Sequence, residues 1–299
     1  MKTDKENVRL PIVSCEWLQA HLLNDNVRVV DASLHLPATG RNARVEFNRA
    51  HIPRAVFFDI EEHSAPGELP HMLPDAAQFA DAAGALGIAA HHEIVIYDSV
   101  GLYSAARVWW MFRHFGADKV FVLDGGLPAW KQSGGELCAV PAADAATSGT
   151  SSTCYAPCEF APVPGFVPRQ VVNAEEVLAS IDDPGTVILD ARSAGRFSAE
   201  VKEARAGLRS GHIPGSLCVP FTHMLDEKHR LKSISELAAL FEELKLDKQV
   251  RVVTTCGSGV TAAVLVLALE CVGYTNVALY DGSWSEWGAL EQVPVATGA

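Results

Sequence analysis

The residue with the clearest chemical potential is Cys256, which stands in the segment Thr-Thr-Cys-Gly-Ser-Gly-Val-Thr at 254–261. A β-branched run ends at this cysteine, and a long apolar segment follows the second glycine. Glycines permit backbone conformations in which several N–H groups converge on one point, and a following helix adds the positive end of its dipole. A thiol in such a loop is expected to ionise readily and to act as a nucleophile.

The bulk composition restricts the function classes. With 299 residues, of which 48% are hydrophobic, the chain is long enough for two domains, each with its own core. A net charge of −12 argues against nucleic acid as a partner, because phosphate binding requires a basic surface. The same charge means that any site for an anionic substrate needs local arginines.

The chain contains none of the sequence signals of a targeted, membrane-bound or cofactor-binding protein. Residues 1–7 have no apolar signal core, and the longest apolar run, 262–269, is too short to span a bilayer. The seven cysteines are odd in number and scattered, which favours a reducing cytoplasm. Without a nucleotide fingerprint or a metal-ligand cluster, we predict no membrane association, no organic cofactor and no metal.

The sequence repeats itself in order and spacing. Val-Val-Asp-Ala at 29–32 returns as Ile-Leu-Asp-Ala at 188–191, and His-Ile-Pro at 51–53 returns at 212–214. Asp-Gly and a later tryptophan also recur in the second half. We therefore predict an N-terminal domain at 8–137, a linker rich in Ala, Pro, Ser and Thr at 138–168, and a C-terminal domain at 169–297.

Each repeat alternates short β-branched strands with helical segments, which indicates an α/β fold with a mainly parallel sheet covered by helices on both faces. Strands are predicted at 93–97, 120–123 and 249–254, and helices at 104–115 and 261–272. Sites in such folds lie where strands end and helices begin, which is the position of Cys256. The ungapped repeat pairs Cys256 with Ser99, so the first copy is predicted to be catalytically inert.

The repeat, the His-Ile-Pro turns and the Cys-Gly-Ser-Gly-Val-Thr loop together resemble the rhodanese family, specifically its tandem-domain sulfurtransferases. The resemblance covers about residues 8–295 and implies two rhodanese-like domains. The uncharged loop is similar to that of the members acting on 3-mercaptopyruvate, since members acting on thiosulfate carry basic residues after the cysteine. The resemblance implies that Cys256 takes sulfur from 3-mercaptopyruvate, giving a persulfide and pyruvate, and passes it to a thiol such as thioredoxin or to cyanide.

The resemblance also implies which residues form the site. Arg196 and Arg205 would bind the substrate carboxylate, and the backbone N–H groups of the loop would stabilise negative charge on sulfur. A relay of serine, histidine and an acid would manage the thiol proton; its members here are Ser258, His71 and Glu61, although the family has aspartate at the last position. Asp59 is the alternative acid, with a role in ordering its turn. The loop residues expected to contact substrate are Gly257, Gly259, Val260 and Thr261.

Three alternatives compete with this interpretation. A thiosulfate-preferring sulfurtransferase differs only in its donor, and a non-catalytic rhodanese-like binding module would typically lack the cysteine. A cysteine phosphatase would need an arginine six residues after the cysteine, where this chain has Ala262.

Cys154 and Cys158 in the linker could form a redox pair, but neither has a companion metal ligand nearby.

Overall fold

The computed structural model describes residues 10–140 and 154–298. The N-terminal segment 1–9, residues 141–153 of the predicted linker and residue 299 lie outside the described residues.

The first half of the chain forms a parallel five-stranded sheet with helices between its strands. The elements in chain order are β1 (Ile12–Val13), α1 (Cys15–His21), β2 (Val27–Asp31), α2 (Ala43–Arg49), β3 (Ala55–Phe57), α3 (Ala76–Ala85), β4 (Glu93–Tyr97), α4 (Ala105–His114), β5 (Val120–Leu123) and α5 (Gly126–Gln132). The strand order is β1-β5-β4-β2-β3.

The second half forms a sheet of the same kind. Its elements are β6 (Gln170–Val172), α6 (Ala174–Ser180), β7 (Thr186–Asp190), α7 (Ala194–Phe197), β8 (Leu217–Cys218), α8 (Ile234–Glu243), β9 (Arg251–Thr255), α9 (Ala262–Cys271), β10 (Val277–Tyr280) and α10 (Ser283–Trp287). The strand order β6-β10-β9-β7-β8 repeats that of the first sheet, with β9 in the middle. The predicted duplication and the predicted α/β class are confirmed.

Alternation along the strands explains why both faces of each sheet are covered. In β4, Ile94 and Ile96 point into one apolar cluster while Val95 and Tyr97 point into another on the opposite face. A parallel strand buried on both faces reads as a continuous apolar run, which is how these strands appear in the sequence.

The helices that follow the two strand-end loops pack against each other. Helix α9 buries every residue except Glu270, and helix α4 buries Trp109, Trp110 and Phe112 in the same apolar cluster. The two copies therefore share one core, and the loops that open α4 and α9 lie next to their common boundary.

The described part of the predicted linker packs on the first copy. Phe160 is buried and lies edge-on to Phe79 with ring centroids 5.3 Å apart. The backbone N–H of Cys158 donates to the carbonyl of Gly84 at 3.0 Å, and a side chain at position 84 would collide with the Cys158 carbonyl. This end of the segment is fixed by aromatic burial, while the domain boundaries around 138–168 stay a prediction.

Candidate active site

Cys256 follows the last residue of the central strand β9 and is 2% exposed. The loop after it is shaped by Gly259, which has φ +75° and lies so close to the Asp281 carbonyl that a side chain would be crowded. The Ser283 hydroxyl accepts hydrogen bonds from the N–H groups of Cys256 at 3.2 Å and Gly259 at 3.1 Å. Ser283, which follows the repeated Asp-Gly pair, is a supporting residue that the sequence analysis missed.

The structure corrects the pairing of the two loops. The N–H of Trp284 donates to the carbonyl of Cys256 at 2.9 Å, and the N–H of Leu127 makes the same bond to the carbonyl of Asp98, not of Ser99. The strand register agrees with this correspondence. Tyr97, which precedes Asp98, is paired with the aspartate that ends β2, and Thr255, which precedes Cys256, is paired with the aspartate that ends β7. The counterpart of Cys256 is therefore Asp98. The loop of the first copy is one residue longer, which an ungapped comparison cannot detect.

The first copy shows what a loop of this kind does for an anion. The carboxylate of Asp98 is fully buried and accepts five backbone N–H groups from its own loop. These donors are Val100 and Gly101 at 3.0 Å, Tyr103 at 2.7 Å, Ser104 at 2.9 Å and Ala105 at 3.0 Å. The strand–loop–helix turn is therefore a backbone cradle for one negative charge.

In the second copy the residue that corresponds to Asp98 is Cys256, which has a thiol instead of a carboxylate. Within residues 154–298, no acceptor is assigned to the N–H groups of Gly257, Ser258, Val260 and Thr261. These donors lie in the loop that in the first copy binds a carboxylate. The arrangement can stabilise an anionic sulfur in the same way that an oxyanion hole stabilises an oxygen.

The three predicted relay residues are in contact. His71 of the first copy reaches across the domain boundary, and its Nδ1 lies 2.8 Å from the Ser258 hydroxyl. Its Nε2 lies 2.8 Å from the Glu61 carboxylate, so the additional methylene of glutamate does not prevent contact. Asp59 instead accepts the N–H of Glu61 at 3.1 Å and orders the turn, as predicted. Their catalytic roles stay predictions.

Burial determines the charge of His71. The imidazole is 3% exposed, and this desolvation lowers the pKa of His71, while the neighbouring Glu61 carboxylate raises it. Near neutral pH the ring is therefore uncharged. With Nε2–H donating to Glu61, Nδ1 is free to accept the Ser258 hydroxyl proton.

The two predicted substrate-binding arginines lie beside the same loop. A side chain on Gly257 would come within 3.3 Å of Arg196 Nη2, so this glycine leaves room for the guanidinium. Arg205 donates to Ser285 Oγ at 2.5 Å, and this hydroxyl donates to the Gly257 carbonyl at 2.6 Å. Arg196 is 33% exposed and is paired on one side with Glu203. Both cations therefore lie at the entrance to the loop.

Tyr103 is a site residue that the sequence analysis did not find. Burial and then the nearby charge of Cys256 raise the pKa of Tyr103 to about 12, so its phenol remains protonated. Its ring lies edge-on to Phe221 of the second copy, with centroids 5.7 Å apart. The loop of the first copy therefore contributes a side chain near Cys256, which the sequence of that loop does not indicate.

The residues that the structure describes contain no group of three or more His, Cys, Asp or Glu side chains placed to hold a metal ion. None of the helices within 10–140 and 154–298 is long and apolar enough to cross a membrane.

Comparison with known proteins agrees with this architecture. A model of the rhodanese-like domain matches residues 14–133 and 173–290. Thiosulfate/3-mercaptopyruvate sulfurtransferase 1, mitochondrial, from Arabidopsis thaliana is 43% identical over 95% of this chain and 78% of its own length. The 3-mercaptopyruvate sulfurtransferase of Escherichia coli K12 is 41% identical over 95% of this chain and 96% of its own.

A solved structure agrees as well. SseA from Escherichia coli, described as having the rhodanese fold of 3-mercaptopyruvate sulfotransferases, superimposes with a TM-score of 0.80 at 39% identity. The match covers 92% of this chain and 99% of SseA. The chain therefore belongs to the rhodanese family and carries two rhodanese-like domains in tandem.

Proposed function

We propose that this protein is a 3-mercaptopyruvate sulfurtransferase with Cys256 as its nucleophile. The observation that carries the proposal is the backbone cradle. A loop that binds a buried carboxylate in one copy presents a thiol in the other, with four N–H groups to which the structure of 154–298 assigns no acceptor. The relatives named as acting on 3-mercaptopyruvate support the choice of donor.

In the first half-reaction the Cys256 thiolate attacks the sulfur of 3-mercaptopyruvate. An S–S bond forms, the C–S bond breaks, and its electron pair leaves with the carbon as the enolate of pyruvate. One proton converts the enolate to pyruvate, and Cys256 keeps the sulfur as a persulfide. The loop N–H groups stabilise the negative charge on sulfur in both the attacking thiolate and the persulfide.

The relay supplies the proton in this scheme. Ser258 lies two residues after the nucleophile and can pass the proton of the Cys256 thiol to His71 Nδ1 as the thiolate forms, and then return it from the imidazolium to the enolate. Glu61 holds the Nε2–H tautomer of His71.

The positions of the two arginines favour a substrate that carries a carboxylate over a substrate that carries a second negative charge next to its reacting sulfur. Arg196 and Arg205 lie at the entrance, whereas the loop itself carries no cation. The carboxylate of 3-mercaptopyruvate is separated from its sulfur by two carbons, so this charge can rest on the arginines while the sulfur reaches Cys256.

The second half-reaction transfers the outer persulfide sulfur to a thiol, such as that of thioredoxin, or to cyanide. This acceptor step and a cytoplasmic location belong to the same proposal. All seven cysteines are free, as a reducing compartment requires.

Donor preference tests the proposal. Purified protein should release pyruvate from 3-mercaptopyruvate far faster than it forms thiocyanate from thiosulfate and cyanide. Mass spectrometry after donor alone should show one added sulfur atom on the Cys256 peptide. Equal or reversed donor preference would identify a thiosulfate sulfurtransferase instead.

The nucleophile is tested separately. Cys256→Ser should abolish both pyruvate release and sulfur loading, with an unchanged circular dichroism spectrum. Cys218→Ser, which alters a free and half-buried cysteine away from the loop, is the matched control and should retain activity. Retention of activity in Cys256→Ser would place the nucleophile elsewhere.

A further inference from the structure

The two copies dock on each other by exchanging equivalent loops. The loop of the first copy brings His71 over the active loop of the second, and the second copy brings His229 over the inert loop of the first. Both histidines have left-handed backbones, with φ 59° and 57°. Two residues further on, the N–H of Leu73 donates to Asp281 at 2.7 Å, and that of Leu231 donates to Asp124 at 2.9 Å. The interface therefore contains the same contact twice.

Only one of these two contacts includes a fully buried arginine that binds the backbone of the histidine. Arg107, the third residue of α4, is fully buried and donates through Nη2 to the His71 carbonyl at 2.8 Å and to Asp281 Oδ1 at 2.6 Å. The third residue of α9 is Val264. At the other contact Arg230 lies beside Gly125 but its guanidinium donates to Asp226, and His229 lies over Gly101.

Stability does not explain this arginine. Moving a guanidinium out of water is costly, and in the described chain neither Nε nor Nη1 of Arg107 has a hydrogen-bond partner. The equivalent interface contact forms with valine in this place. The arginine is found where a histidine must be held at a hydroxyl, and it also touches the active loop, because a side chain on Gly259 would lie 3.2 Å from Nη1.

We propose that Arg107, fixed by Asp281, is a positioning residue that clamps the backbone of His71 and thereby holds its imidazole at Ser258. The hydrogen bond from Arg107 to the His71 carbonyl fixes the peptide that carries this imidazole, whose left-handed conformation a non-glycine residue rarely adopts. The inference deepens the proposed function, on which it rests.

The main variant leaves no unpaired buried charge, because Arg107→Leu combined with Asp281→Asn removes both ionised groups. Asp281→Asn alone leaves the buried Arg107 cation without its counter-ion, so this second variant is measured together with its thermal unfolding. We expect kcat/KM for 3-mercaptopyruvate to fall by about 10- to 100-fold, the loss expected when a catalytic group is displaced by about 1 Å. Asp124→Asn makes the same change at the inert contact and should leave kcat/KM within about twofold of wild type.

Two readouts separate positioning from general support of the interface. In a His71→Asn background the Arg107 and Asp281 changes should cause no further loss of kcat/KM, because the group that they hold is gone. In 15N-histidine spectra, the Nε2–H signal that disappears in His71→Asn should shift or broaden in both clamp variants and stay in place in Asp124→Asn.

The outcomes remain distinct from failure of the proposed function. If the wild-type protein releases no pyruvate from 3-mercaptopyruvate, the function is wrong, and the histidine spectra still test the clamp. The clamp is overturned if the His71 signal is unchanged in Asp281→Asn, or if the substitutions reduce kcat/KM as much without His71 as with it.

Discussion

At the scale of single residues, the chemistry depends on which group fills the cradle at the end of the central strand. Asp98 fills it with a fixed carboxylate in the first copy, and Cys256 is the counterpart of Asp98 in the second. We therefore expect the corresponding loop of the second copy, which is one residue shorter, to stabilise an anionic sulfur. Glu61, the proposed acid of the relay, is in contrast largely exposed, with 64% of its side chain in solvent.

The exposure of the Glu61 carboxylate to solvent limits its contribution to kcat. We expect Glu61→Gln to lower kcat by about tenfold or less, below the ~10²–10⁴-fold range of a complete general acid–base contribution, because solvent screens this carboxylate. Glu62→Gln is the matched control, since Glu62 is a neighbour with 63% exposure that pairs with Arg44 instead. A loss in Glu62→Gln as large as that in Glu61→Gln would remove Glu61 from the relay.

The same substitution changes the pH dependence in a defined direction. Burial lowers the pKa of His71 and Glu61 raises it, so kcat/KM should fall only as the pH drops below the ordinary histidine value of about 6.5. Removing the Glu61 charge lowers the pKa of His71 further and should move this acid limb to lower pH. A pH–rate profile of wild type and Glu61→Gln measures the shift. An acid limb that moves upward would contradict the assignment.

At the scale of elements, periodic segments were predictable and the loop length was not. Strand β4 and the helices at 105–114 and 262–271 lie within a residue of their predicted bounds, because apolar alternation and helical burial leave a strong pattern. The loop after Tyr97 has no such period. Its additional residue moved the counterpart of Cys256 from Ser99 to Asp98, which only strand register and hydrogen bonds reveal.

The cradle of the first copy should stabilise that copy. Asp98→Asn replaces an acceptor of five N–H groups by an amide with a single acceptor oxygen, so we expect a loss of roughly 2–4 kcal/mol in the free energy of unfolding. Thr255→Val changes a buried hydroxyl that has no partner among the described residues, and should cost less than about 1 kcal/mol. Urea unfolding measures both. An Asp98→Asn protein as stable as wild type would mean that the loop donors can rearrange.

At the scale of the whole molecule, the site exists only because the two copies are packed together. His71 and Ser258 are 187 residues apart in the chain, and Tyr103 and Arg107 also come from the first copy. Family resemblance was needed to pair His71 with Ser258, since nothing local in either segment indicates the other. The sequence does not indicate that Arg107 pairs with Asp281, because a single cation in an apolar helix carries no signal of its partner.

The substrate carboxylate depends on local cations. Arg196→Ala and Arg205→Ala should each raise KM for 3-mercaptopyruvate, with a smaller change in kcat, because the carboxylate is bound equally in the ground and transition states. Arg209→Ala is the control: its guanidinium donates to carbonyls of the C-terminal segment, including Val293 at 2.9 Å, so the change should affect stability more than KM. Steady-state kinetics and thermal unfolding distinguish these effects. An unchanged KM in both site variants would contradict the binding of the substrate carboxylate by Arg196 and Arg205.

The dependence of KM on ionic strength shows whether these local cations or the net charge of the protein controls binding of the substrate. The chain carries −12 overall, which repels an anion, whereas Arg196 and Arg205 attract it at the entrance. As the Debye length falls from about 30 Å at low salt to about 8 Å at physiological salt, screening of the net charge would lower KM and screening of the arginines would raise it. We expect KM to rise, since the arginines lie at the loop while the acidic charge is spread over the whole surface. The rise should disappear in an Arg196→Gln, Arg205→Gln double variant, and a KM that instead falls with salt would show that the acidic surface controls binding.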